Sequence, residues 1–130
     1  MKNQTLLLRI AGLISLLFVV FHLFFYRVFN WENDLGCLPN VDRAIFLTYH
    51  AICLLLLLFM GIIPISQAKA LLSSSVKYGV LSLFSFFYLI RVITEFTFFG
   101  ISSTSPIILI MCLVPMILYA IPLFSKPRMK

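Results

Sequence analysis

Four long apolar runs, separated by short clusters that hold most of the charge, dominate the sequence. They cover residues 6–29, 44–65, 78–99 and 107–124. Each is close to the ~20 residues a helix needs to cross a ~30 Å hydrocarbon core. Inside such a core the backbone must satisfy its own hydrogen bonds, so each run predicts a transmembrane α-helix. Composition agrees: 62% of residues are hydrophobic and 11% charged, against roughly a quarter charged in a soluble domain. The short connections predict antiparallel neighbours. The expected fold class is all-α, a single four-transmembrane-helix bundle with up-down-up-down order over residues 1–130.

The first run is long and no small-x-small cleavage site follows it, so it reads as an uncleaved helix rather than a signal peptide. Asp42 stands where the second helix needs an N-cap, Gly100 is placed to stop the third, and Ser105 with Pro106 suits the start of the fourth. Pro64 falls at the expected end of the second helix, and Pro115 inside the fourth predicts a kink.

Basic residues set the orientation. Lys2, Arg9, Lys69, Lys77, Lys126, Arg128 and Lys130 fall on one side with no acid among them, while Arg27 and Arg43 are balanced by Glu32, Asp34 and Asp42 on the other. The positive-inside rule then puts both termini and the 67–77 loop in the cytoplasm, which suits a multi-pass protein of a bacterial inner membrane. Trp31 belongs to the outer interface on this reading. The net charge of +6 implies no nucleic-acid binding, because no water-exposed module gathers it; the partner is the lipid bilayer and its anionic head groups. Cys37, Cys53 and Cys112 form no CxxC pair and no even framework, which excludes a disulfide scaffold, a zinc ribbon and a paired-thiol oxidoreductase.

Four residues are costly inside these helices: His22, His50, Arg91 and Glu95. A charge near a helix centre costs ~2.5–3.5 kcal/mol on insertion scales, so an intramembrane ionisable group is a functional candidate. At 1.5 Å per residue, His22, His50 and Arg91 fall roughly 10–12 Å below the same outer interface, with Glu95 about a turn nearer the surface. Helical phase puts Ser15, His22 and Tyr26 on one face of the first helix, and Arg43, His50, Cys53, Leu57 and Gly61 on one face of the second. Tyr88, Arg91 and Glu95 share a face of the third. These stripes predict a polar pocket below the outer leaflet, with His22, His50, Arg91, Glu95, Tyr26, Tyr88 and Arg43 as candidate ligand-binding residues. The fourth helix offers Cys112, Pro115 and Tyr119 and is expected to act as a wall. Competing structural roles are plain: Arg91 and Glu95 are an i,i+4 pair that neutralise each other, and aromatic residues such as Trp31, Tyr26, Tyr49 and Tyr88 commonly form interfacial belts.

The succession of His22, Trp31 with Leu35 and Leu38, Asn40 and Arg43, His50, Gly61, and Arg91 with Glu95 and Phe96 resembles an uncharacterised family of small bacterial four-helix integral membrane proteins. The resemblance spans the first three helices and implies a shared fold and shared pocket residues, without an activity. It departs just before Arg91, where a tryptophan is expected and Tyr88 is the nearest comparable ring. The overall shape is also similar to DoxX-type four-helix proteins, whose residue pattern is absent.

Several functions fit these residues. The first is binding of a small anionic or lipid-like ligand, with Arg91 on a carboxylate or phosphate and the two histidines moving protons. A metal or redox site on His22, His50 and Glu95 is the alternative, since two imidazoles and a carboxylate suit zinc, copper or non-haem iron. Arg91 opposes a dication there. Haem fits less well, because ligands on consecutive helices leave little room for a macrocycle. A small proton-coupled transporter titrating Glu95 is a third reading, weakened by the adjacent guanidinium. A homo-oligomer, or an accessory subunit with a membrane-complex partner, is the fourth.

Overall fold

The computed structural model describes residues 2–99 and 105–124. Among them there is no strand: the chain is helical almost throughout, and four helices are long and apolar enough to cross a membrane. The long elements are α1 (Lys2–Leu23), α4 (Asn40–Ser73), α5 (Lys77–Thr94) and α6 (Ser105–Ala120). Two one-turn helices, α2 (Phe25–Val28) and α3 (Trp31–Asp34), and a 3₁₀ turn at Leu35–Cys37 join α1 to α4. A π-helical turn, Glu95–Phe99, extends α5, and a 3₁₀ turn, Ile121–Phe124, extends α6.

Several helix ends differ from the sequence expectation. The first helix stops at Leu23 rather than near residue 29, because its hydrogen bonds tighten to the three-residue spacing at Phe24, whose N–H bonds the Phe21 carbonyl at 3.1 Å. Beyond the break Asn30 is left-handed at φ 52°, a region asparagine tolerates better than most residues. Asp42 is not the N-cap of the second helix, since α4 begins at Asn40 after Pro39. It sits in the first turn, where its charge still complements the helix dipole. The expected 67–77 loop is mostly helix, because its Gln, Ala, Lys and Leu residues are good helix formers. Only residues 74–76 separate α4 from α5. Pro64 therefore lies inside a helix, and the departure from helical geometry comes three residues later, at Gln67 (φ −119°, ψ 20°). Gly100 and the three basic residues after Ser125 lie outside the described residues.

Packing follows the small residues. α1 lies along α4, α5 along α6, and α1 also meets α6, whereas α4 and α5 touch little despite the short turn between them. At Gly12 a Cβ would come 2.7 Å from the Gly61 carbonyl oxygen, so two helix backbones meet where neither has a side chain. Close approach of this kind is the usual reason for small residues between apolar helices. The core includes Leu8, Ala11, Leu57, Met60, Leu81 and Phe84, while large apolar side chains such as Leu17, Leu83 and Ile110 are exposed on the outside.

Candidate functional site

A clasp of hydroxyl groups ties all four long helices together beneath the site. Met60 precedes Pro64 by four residues, so its carbonyl has no helical N–H to accept. The Tyr119 hydroxyl from α6 takes that place, donating to the Met60 oxygen at 2.7 Å. Its own oxygen then accepts from Ser15 Oγ of α1, 2.9 Å away, and the Tyr88 hydroxyl of α5 donates to Ser15 Oγ, also at 2.9 Å. Ser15 shares its single proton with the Ala11 carbonyl at 3.1 Å. Ser15, Tyr88 and Tyr119 are all at most 1% exposed.

Above this clasp opens a cavity of about 960 Å³. The C-terminal part of α1 contributes Phe18 and His22, the N-terminal half of α4 His50, Cys53 and Leu57, α5 Tyr88, Arg91 and Glu95, and the start of α6 Ile108 and Cys112. His22, His50, Tyr88, Arg91 and Glu95 thus line one space. Tyr26 and Arg43 do not line it: Tyr26 is 49% exposed, and Arg43 is turned to the Asn40 side chain at 3.1 Å. The expected inclusion of those two is corrected by the early end of α1 and by a local side-chain bond one turn into α4.

The linker supplies the part of the wall that periodicity did not foresee. Trp31 sits edge-on to His50 at 4.9 Å between centroids and to Phe46 at 4.8 Å. Phe25 stacks on the His22 ring at 4.2 Å. Asp34, Leu35 and Leu38 complete this side, and Leu35 is buried. The two imidazoles lie nearly parallel, 6.1 Å apart. His22 Nδ1 is 2.8 Å from the Phe18 carbonyl oxygen, which can only accept; Nδ1 therefore carries the proton and Nε2 of the neutral ring is the acceptor.

Arg91 Nη2 and Glu95 Oε2 form an ion pair at 2.8 Å, with the guanidinium side chain 36% exposed and the carboxylate side chain 3% exposed. Among the described residues, no three of His, Cys, Asp and Glu gather in a way that could hold a metal ion. The set of His22, His50 and Glu95 expected for a metal centre is therefore not assembled, since the π turn holds Glu95 against Arg91. Comparison with protein-family models, curated proteins and solved structures returned no match. The likeness to small bacterial four-helix proteins rests on the residues alone.

Proposed function

We propose that the chain is a multi-pass membrane protein whose cavity holds the polar end of a lipid-like amphipathic molecule. The helices run up-down-up-down with both termini cytoplasmic, and the membrane is a bacterial inner membrane. The observation that carries this reading is the composition of the cavity walls. Phenylalanine, leucine, isoleucine, methionine and tryptophan make most of the lining, while His22, His50, Arg91, Glu95 and Asp34 supply its imidazole and charged groups. Apolar pockets with a few convergent polar groups are the usual form of small-molecule sites. The C-terminal ends of α1 and α5 and the N-terminal parts of α4 and α6 line the same space, which supports alternating helix direction. Apolar side chains exposed around the bundle support a lipid surround.

A lipid-like ligand suits this cavity better than a small anion. Asp34 and Glu95 add two carboxylates to the one guanidinium on its walls, so a bare anion meets no net positive field unless a histidine is protonated. A hydroxyl-bearing head group needs only a hydrogen bond, which Nε2 of the neutral His22 ring accepts. A head group bearing an ionisable hydroxyl could pass its proton to that Nε2, the step for which a neutral imidazole is suited.

The test is retention. The full chain, purified in mild detergent, is examined by native mass spectrometry and by extraction of bound lipid. The expected result is a stoichiometric lipid-like molecule in the wild type, lost at least several-fold in His22→Ala and in Arg91→Gln/Glu95→Gln, which removes both charges and leaves no lone ion. Folded variants that hold as much of it as the wild type, or a wild type that holds only stoichiometric metal, overturn the proposal.

A further inference from the structure

At the far end of α1 from His22, a second and smaller cavity of about 210 Å³ is lined by Lys2, Thr5, Leu6, Arg9 and Lys69. Lys2, Leu6 and Arg9 follow one another by four and three residues and so share one face of α1. Lys69 reaches the same space from α4, two residues past the non-helical Gln67 and next to Ala68, which is 1% exposed and fixes that turn in the core. The described walls thus carry three cations and no carboxylate. None of the three pairs with a carboxylate among the described residues. Lys77, near by in sequence, is used differently: it is buried and its Nζ lies 4.7 Å from the centroid of the Tyr78 ring. Like charges gathered on two elements around one cleft repel each other until an anion joins them.

We propose that this cleft binds a phosphate group between Lys2, Arg9 and Lys69. Arginine supplies the fork that matches phosphate oxygens and the two lysines supply point charges. Thr5 and Leu6 form the floor and the apolar side. A phosphate could come from a lipid head group or from free anion. A helix of 22 residues is about 33 Å long, so residues 2–9 and the His22 level occupy opposite ends of the span, with the cleft at head-group depth if α1 crosses the bilayer. The proposal does not depend on what fills the His22 cavity.

Native mass spectrometry of the full chain in detergent, titrated with dioleoyl phosphatidylglycerol, with dioleoyl phosphatidylcholine or with inorganic phosphate, tests it. Adducts of the anionic lipid are expected to exceed those of the zwitterionic one, and to fall about fivefold for each cation removed in Arg9→Gln and Lys69→Gln. Arg9→Lys should keep most of the binding, and Arg27→Gln, an exposed change in the linker, should keep all of it. Displacement of the lipid by millimolar inorganic phosphate identifies free anion as a sufficient ligand; persistence of the lipid adduct identifies the head group as the source. Equal adducts for both lipids with no effect of phosphate, or an equal loss in Arg27→Gln, overturns the site.

Discussion

The hydroxyl of Tyr119 stands in for a backbone N–H that Pro64 lacks, and this substitution makes an unusual prediction about two residues on different helices. Removing the hydroxyl in Tyr119→Phe leaves the Met60 carbonyl buried without its 2.7 Å partner. An orphaned buried acceptor costs ~1–3 kcal/mol. Tyr88→Phe removes only a donor to Ser15, which keeps the Ala11 and Tyr119 contacts, so its loss should be ~0.5–1.5 kcal/mol. Pro64→Ala restores an N–H four residues after Met60 and gives that carbonyl a second source of hydrogen bonding. Tyr119→Phe should therefore cost markedly less in the Pro64→Ala background than in the wild type. Reversible unfolding of the four proteins in detergent micelles measures this coupling as a double-mutant cycle. Additive losses would show that the proline and the hydroxyl act independently.

Between elements, the contact of α1 with α4 has its narrowest point at Gly12 and Gly61, and the two glycines should respond differently to the same change. A methyl at position 12 meets the Gly61 carbonyl oxygen at 2.7 Å, a backbone atom fixed in its helix, whereas one at position 61 meets first Cδ2 and Cγ of Leu16, which a χ1 change can move, and the Gly12 carbonyl oxygen only at 3.2 Å. Gly12→Ala is expected to destabilise the protein by ~1–3 kcal/mol and Gly61→Ala by less, read from thermal melts in detergent. Equal losses would mean that α1 and α4 separate as rigid bodies. Both glycines stand in the sequence, but only Gly61 falls on a polar or small-residue stripe; their meeting is a property of helix pairing that no single stripe contains. The same division runs through the fold. Hydropathy located all four long helices because each needs some twenty apolar residues, yet it misplaced the end of α4, where good helix formers carry the helix on beyond the kink at Gln67. His22, His50, Arg91 and Glu95 could be foreseen together because depth and phase within regular helices are arithmetic. Trp31, Phe25 and Asp34 could not, since the path of the linker turns on the break at Phe24 and the left-handed Asn30 rather than on any period.

At the scale of the whole molecule, orientation decides which side of the membrane the large cavity serves, and the chain carries its own reporter for it. Cys37 is exposed in the linker between α1 and α4, whereas Cys53 is half-buried and Cys112 buried within the helices. The linker is also the segment that closes one side of the cavity through Trp31 and Leu35. With both termini cytoplasmic, a chain whose first long helix crosses the bilayer presents Cys37 outside. A membrane-impermeant maleimide added to spheroplasts, cells stripped of any outer membrane, is then expected to label the protein at one site. Labelling should vanish in Cys37→Ser and persist when Cys53 and Cys112 are both changed to serine. The thiol of Cys37 lies 3.5 Å from the Asn33 carbonyl oxygen, a weak contact for sulfur. Labelling that requires lysis would place the linker in the cytoplasm, reverse the charge-based orientation and move the His22 cavity to the inner leaflet. It would also carry Lys2, Arg9 and Lys69 to the opposite surface, since the two sites lie at opposite ends of α1 and of α4.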